Sequence, residues 1–391
     1  MKFCTSCGNQ LSDGANFCTN CGAVQGAQGQ QMQQVKESPF KKLMANKKSK
    51  LFTVAVGALL AIVLLVVGIC SFIGKDNNIG RLKPEAFKIK ENSKWGLMDN
   101  KGKIIVEPKY DDIDDMYEGL AAVEIDGKWG YIDAKGKVVI EPTFDDAGPF
   151  NEGVAPVSEG YNKWGLINKD GKYVASPEYS IVSYAMEGMA IVSKDGKYGY
   201  INTKGKVVID IKYSRAGLFV NGYAIVNDGT KSFYINKKGQ NKFKDSIIAV
   251  SNFSEGLARA FIEDEDYGNG VYINTDGKTI LTNVNGGKFS EGLAVVYSQA
   301  DRKYGYINKD GKFKIKAEFD AASEFSEGLA VIVENGKCGY INKKGKVVIE
   351  TDFDSAEPFS NGVARVETED GWGYINKKGK MLWEYKEDYD F

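Results

Sequence analysis

Four of the six cysteines fall within the first 21 residues, as Cys4-Thr-Ser-Cys7-Gly8 and Cys18-Thr-Asn-Cys21-Gly22, with Phe3 and Phe17 ahead of each pair. Two such knuckles facing each other present four thiolates in a tetrahedron, the geometry of a structural zinc site. Gly8 and Gly22 follow the second cysteine of each pair, where the chain folds back tightly and a residue without Cβ is tolerated. The spacing between the pairs is shorter than the commonest ribbon spacing, and two disulfides or a redox-active dithiol are the competing chemistries. The duplicated knuckle and its ligand spacing favour one structural zinc ion held by Cys4, Cys7, Cys18 and Cys21. A unit this short cannot bury an adequate core, so the metal supplies most of its folding energy.

Elsewhere the candidate chemistry is sparser. The chain has no histidine, which removes the usual proton shuttle and every histidine-based metal site. Cys70 lies in an apolar run, and Cys338 stands alone after it, so no disulfide staples the rest of the chain. Asp111-Asp112 and Asp145-Asp146, echoed by Asp320 and Asp354, suit calcium coordination or a glycosidase carboxylate pair. The same position becomes Ser180 or Ser214 elsewhere, which favours turn capping. Glu263, Asp264, Glu265 and Asp266 form an acidic insertion in one place only, most simply a solvated loop. Trp95, Trp129, Trp164 and Trp372 suit a stacking ladder for sugar rings, but tyrosine or Cys338 replaces them elsewhere. Packing between neighbouring units, with the following glycine allowing close backbone approach, is the favoured reading. The lysines beside the hairpins read as solvated edge protection.

These residues must be positioned by very different elements. Residues 26–50 are a Gln/Gly-rich linker that turns basic, with six lysines shortly before an uncharged apolar run over 51–74. As a helix that run spans about 36 Å, enough for a hydrocarbon core of about 30 Å. It is too long and too far from the start for a cleaved signal peptide, and it lacks the polar stripe of a buried soluble helix. The lysine excess before it places the N-terminus in the cytoplasm and the region after it outside, across a short linker over 75–90. Overall charge is nearly balanced, with 51 Lys+Arg against 52 Asp+Glu. The region after the apolar run has no concentrated basic face of a nucleic-acid binder.

From residue 91 to 391 one phrase returns: Lys-Trp95-Gly96, Lys-Trp129-Gly130, Lys-Trp164-Gly165, then Tyr198-Gly199, Tyr304-Gly305, Cys338-Gly339 and Trp372-Gly373. Eroded copies at Phe233-Tyr234 and Val271-Tyr272 bring the expected number to nine. Glu118-Gly119 and its echoes from Glu152-Gly153 to Asn361-Gly362 accompany the phrase. In one unit Leu120 to Ile125 reads as a strand, Asp126-Gly127 as a tight hairpin turn and Lys128 to Asp133 as a second strand. Gly136 suits a left-handed turn position, and Lys137 to Glu141 is a third strand closed by Pro142. A lone meander is marginal in water, so stacking completes the core.

These residues resemble the WG-repeat family of bacterial proteins over about three quarters of the chain, and the first domain is similar to the minimal zinc ribbons that begin many bacterial membrane proteins. The resemblance implies a β-repeat scaffold with no catalytic residues to carry over; Ser232-Phe233 and Gly270-Val271 depart from its pattern. The expected fold is mostly β: a four-cysteine zinc ribbon over 1–25, one transmembrane helix, then an all-β array of about nine three-stranded antiparallel repeats. Three strands per unit favour an open or spiral solenoid over a closed propeller-like ring. The expected function is non-enzymatic, with the array binding a cell-envelope polymer or protein outside and the ribbon a protein in the cytoplasm. An enzyme acting on wall glycans through acidic loop residues is the alternative. A nucleic-acid or transcription role for the ribbon is a further one, poorly served by Lys2 and Asp13 as the charged side chains of residues 1–25.

Overall fold

The computed structural model describes residues 82–386, except 244–245, 264–269 and 283, together with a short antiparallel pair, Lys2–Phe3 with Gln10–Leu11. The chain divides into a unit over Met1–Ala61 and a unit over Ile62–Phe391. Cys4, Cys7, Cys18 and Cys21, the linker and the apolar run 51–74 lie outside the described residues, among which no helix is long and apolar enough to cross a membrane.

The repeats form nine separate sheets, as many as the counted copies. Seven have four strands where three were expected. In the second blade the strands are Asp112–Ile113, Leu120–Ile125, Lys128–Asp133 and Val138–Phe144, paired in that order. The extra two-residue strand comes from the acidic link, where Asp112 pairs with Glu124 and Ile113 with Val123. Its alternation places Ile113 in the core, so a segment that reads as irregular supplies a sheet edge.

Two tight turns shape the second blade. Asp126 and Gly127 have φ of 51° and 75°, a two-residue hairpin with both central residues left-handed. Glu118 and Gly119, at 52° and 79°, make a second hairpin of the same kind, closing on the Tyr117–Leu120 bridge. Asp133 Oδ1 then accepts from Lys135 N and Lys137 N, both at 2.9 Å, and Gly136 takes the expected positive φ of 73°.

The Trp-Gly glycine has a different task, because its φ is ordinary. Trp129 pairs with Phe144 and Tyr131 with Ile140, so the third strand arches over Gly130 with residues to spare. A Cβ at Gly130 would lie 2.5 Å from Ile140 O and 2.7 Å from Pro142 N. Phe233 and Val271 hold this place in the fifth and sixth blades, and neither blade has the arch. The fifth sheet ends at Ser232–Asn236, and the sixth closes with a four-residue strand, Thr279–Thr282, that meets Val271 and Tyr272 in plain register.

Strand alternation sends side chains to the two neighbouring blades in turn. Leu120, Ala122 and Tyr131 pack with Phe150, Ala155 and Val157 of the third blade, while Ala121, Val123 and Ile132 pack with Leu97, Val106 and Tyr110 of the first. Tyr131 is fully buried, its ring 4.8 Å from Phe150, and its hydroxyl donates to Gly148 O at 2.8 Å. The same tyrosine and acceptor position recur from Tyr200 to Gly217 O, Tyr306 to Ser323 O and Tyr340 to Glu357 O, all at 2.8 Å. Burial of each ring is worth about 1.5–3 kcal/mol and the aromatic pair about 1 kcal/mol more.

The array closes on itself, against the open solenoid expected from the strand count. Tyr374 of the last blade donates to Lys88 O of the first at 3.0 Å, and its ring lies 5.6 Å from Phe87. Asn361 Nδ2 reaches Pro84 O at 3.2 Å, and Asn100 Nδ2 reaches Asn361 O at 3.3 Å. Phe87, Ile89 and Met98 share one core with Val363 and Tyr374. The fourth strand in each of seven blades makes this a propeller-like ring of nine blades.

Candidate functional site

The acidic links are absorbed by the scaffold. Lys94 Nζ pairs with Asp111 Oδ1 at 2.5 Å, and the pattern repeats as Lys128–Asp145, Lys303–Asp320 and Lys337–Asp354 at 2.5 to 2.6 Å. Asp126 N and Asn335 N donate to Asp111 Oδ2 and Asp320 Oδ2, at 3.3 and 2.9 Å. Asp111 and Asp320 therefore cap hairpin turns, as expected, and all four carboxylates have an ion-pair partner among the lysines expected to be solvated. The adjacent ammonium holds Asp111 and Asp320 below the usual carboxylate range. Among the described residues no three or more acidic or cysteine side chains are grouped to hold a metal ion. Glu263 lies 3.5 Å from Lys231, and the other three acidic residues of that insertion are outside the described residues.

The Glu-Gly turns form a second repeated device. Glu118 Oε2 accepts from Gly153 N of the next blade at 3.0 Å and pairs with Lys169 Nζ at 3.2 Å. Glu327 does the same with Gly362 N at 2.9 Å and Lys377 at 3.0 Å. A glutamate in left-handed backbone costs about 1 kcal/mol, and the charge-assisted bond to the neighbouring turn offsets it. The sequence displays the phrase without its role; the recurring lysine that follows the asparagine of each later turn is the signal that could have shown it.

What remains is where the copies differ, and the differences concentrate at the seam. Trp129 and Trp164 are half-buried flankers of their cores, as the packing reading expects, although the tyrosine or leucine two residues on, not the tryptophan, fills the centre of the interface. Around the eroded copies Tyr223, Tyr234, Phe243 and Phe253 cluster, and at the seam the aromatic side chains are mostly tryptophan. Trp95 of the first blade lies 6.1 Å from Trp372 of the last; Trp372 is 4.8 Å from Trp383, and Trp383 and Tyr385 are parallel within 14°. Strand pairing makes two cross-strand rows on one face of the last blade, Glu367–Trp372–Tyr385 and Arg365–Tyr374–Trp383. Sequence reasoning missed Trp383 and Tyr385, since they belong to no repeated phrase.

Cations sit on these rings. The Arg365 guanidinium lies 4.7 Å from the centre of Trp372 and pairs with Glu367 at 2.9 Å. Lys90 Nζ lies 5.2 Å from Trp95 and 5.8 Å from Tyr385, bridging first and last blades. Lys88, where other blades carry Ala122 or Ile191, is 5.1 Å from Trp95 and 3.6 Å from Asp114 of the second blade. Burial raises Asp114, and Lys88 pulls against that rise. Asp115 accepts from Lys88 N at 2.8 Å. Burial of the Asp115 carboxyl pushes it up to about 6. All these groups are half-buried, so the seam offers aromatic faces edged by paired charges, an arrangement suited to holding a ligand rather than to moving a proton.

Comparison with known proteins agrees with this architecture. The family model "WG containing repeat" matches residues 95–129, 129–163, 164–198, 198–231, 304–338 and 339–371, more than half of the chain. These six copies are those whose third strand arches over the glycine. The model "zinc-ribbon domain" matches residues 3–24, which include all four candidate ligands. A search of curated proteins returns no significant match. Among solved structures, "Crystal structure of the eukaryotic initiation factor" is similar at TM-score 0.51 and 11% identity, over 78% of this chain and 96% of that one. BamB from Moraxella catarrhalis is similar at TM-score 0.38 and 15% identity, over 70% and 92%. Kluyveromyces lactis Hsv2p is similar at TM-score 0.30 and 12% identity, over 68% and 92%. The first of these likenesses shows a shared fold and nothing of activity. With its repeats matched over more than half its length, the chain belongs to the family of WG-repeat proteins, headed by a zinc-ribbon domain.

Proposed function

We propose that this protein is a non-enzymatic binding scaffold of the cell envelope, anchored by one transmembrane helix over 51–74. Its ring faces outward and its zinc ribbon faces the cytoplasm. The observation that carries the binding reading is the seam, where Trp383, Tyr385 and paired charges stand beside the repeat tryptophans Trp95 and Trp372. The repeated carboxylates, by contrast, are tied to lysines in copy after copy, and Asp111 and Asp320 to turn amides as well, which leaves these acids engaged in holding shape. The topology rests on the uncharged run and the lysines before it. The ribbon is read as holding one structural zinc on Cys4, Cys7, Cys18 and Cys21 and binding a cytoplasmic protein.

Protease treatment of intact cells tests this arrangement. The proposal expects the ring to be shed, or its exposed loops to be cut, while the ribbon stays protected. A protected ring with a cleaved ribbon reverses the topology. Retention of the purified chain on envelope material tests the binding reading, and failure on both polymer and protein fractions contradicts it.

A further inference from the structure

We infer that the seam binds a neutral pyranose saccharide, across the aromatic face made by Trp372, Trp383 and Tyr385 with Trp95 beside it. This rests on the binding reading above and names its ligand class. Three features of the seam point to this chemistry.

The repeated closing contacts are already present without these rings. Tyr374 makes the same inter-blade hydrogen bond as Tyr131 and Tyr340, and Asn361 ties the turns together. Trp95 and Trp372 hold the place that Trp129 and Trp164 hold at other interfaces, so Trp383 and Tyr385 are the rings added at the seam. They are also arranged as a surface: Trp383 and Tyr385 lie two residues apart on the last strand, with centroids 6.4 Å apart and planes within 14°. Trp372 sits across from both, 4.8 Å from Trp383 and 6.1 Å from Tyr385. The axial C–H face of a pyranose packs on such rings, which supply a large apolar area at little entropic cost.

The polar groups beside the rings suit hydroxyls. Arg365 and Glu367 form a donor–acceptor pair at 2.9 Å, directly next to Trp372 in the strand register. The pair offers a donor and an acceptor a few ångströms apart, the spacing at which vicinal hydroxyls can bridge both.

Charge selects among ligands. Every cation here already faces a carboxylate or a ring: Arg365 with Glu357 and Glu367, Lys88 with Asp114, Lys90 with Trp95 and Tyr385. The three carboxylates Glu357, Glu367 and Asp114 match Arg365, Lys88 and Lys90 in number, which leaves little net field for a phosphate polymer or a polycation. A neutral, hydroxyl-rich ring satisfies the patch without displacing an ion pair.

The test uses the full chain in detergent micelles, the hexamer of β-1,4-linked N-acetylglucosamine as probe, and tryptophan fluorescence as readout, since three of the five tryptophans lie at the seam. Saturable spectral change is expected, weakened at least tenfold by Trp383→Ala and by Arg365→Gln, and retained in Trp129→Phe, which changes a tryptophan away from the seam. Trp383→Phe replaces Trp383→Ala if thermal unfolding shows the latter to be misfolded. Hexamer binding undiminished in both seam variants overturns this site and leaves the scaffold reading standing. Retention on envelope proteins without any binding to hexamer or purified wall glycan overturns the saccharide assignment alone. Retention on no envelope material overturns both.

Discussion

At the scale of single residues, most of what the sequence offers as chemistry proves to be structure. The tyrosine two positions after the tryptophan is the clearest case. Tyr306→Phe removes a buried hydroxyl from Ser323 O and leaves that carbonyl short of a partner. The change should cost about 1–2 kcal/mol. Urea unfolding measures this, and an unchanged midpoint would contradict the inter-blade role. Asp115 is a titrating exception. Its folded value of about 6 lies above the ordinary 3.8, so the folded state binds the proton more tightly. The sign follows: stability is greater below pH 4 on this group's account and is lost as pH rises through 6. Asp115→Asn keeps the acceptor for Lys88 N and removes the buried charge. It should raise stability at pH 7 by about 1–3 kcal/mol and flatten the pH 4–6 dependence seen in urea titrations. A variant less stable than the parent at pH 7 would show that the charge is compensated.

At the scale of elements, the arch over the glycine appears in six copies that keep the glycine and in neither eroded one, while the last blade keeps Gly373 with its closing strand in plain register. A Cβ at Gly339 would lie 2.7 Å from Ile349 O, against backbone that cannot yield. Gly339→Ala should therefore cost about 3 kcal/mol or more. Val271→Ala has no arch to disturb and should cost less than half as much, although Val271 is fully buried; equal losses would sink the argument. The third strand was expected to close at Pro142 and instead runs through it to Phe144. The first two long strands, the Asp-Gly hairpins and the left-handed Gly136 were legible because period-two alternation and turn residues mark them directly. The fourth strand was not, because two residues such as Asp112 and Ile113 carry no period. Nor was the arch, since Gly130 is extended and nothing local says that Ile140 O will pass above it. The capping role of Asp111 and Asp320 was legible from the serines that replace such residues in other copies. Their lysine partners, 17 residues upstream, were not, because hairpin register decides who meets whom.

For the whole molecule, closure is what sequence could not supply. Periodicity fixes how each blade packs on the next, but a ring or a spiral depends on small rotations summed over nine interfaces. The first and last blades are each built from one continuous segment, so no shared sheet locks the ring. Side chains do it instead: Tyr374 on Lys88, Asn361 on Pro84, and Lys90 between Trp95 and Tyr385. Removal of residues 381–391 should therefore lower the thermal midpoint and broaden the transition by exposing the ends of the array. A sharp transition at the parental temperature would mean the last strand contributes nothing to closure. Upstream of the ring, one zinc per chain is expected, lost in Cys7→Ser or Cys18→Ser as read by metal analysis.

Closure itself is tested most directly across Asn100 and Asn361, which touch at the seam although 261 residues separate them. In a Cys70→Ser, Cys338→Ser background with the ribbon zinc-loaded, Asn100→Cys and Asn361→Cys are joined with a two-carbon bis-maleimide and the digested chain is analysed by mass spectrometry. The closed ring predicts one dominant intramolecular cross-link between the peptides bearing 100 and 361, formed in dilute monomer. Absence of that link, or its formation only between chains, would contradict the ring and restore the open array.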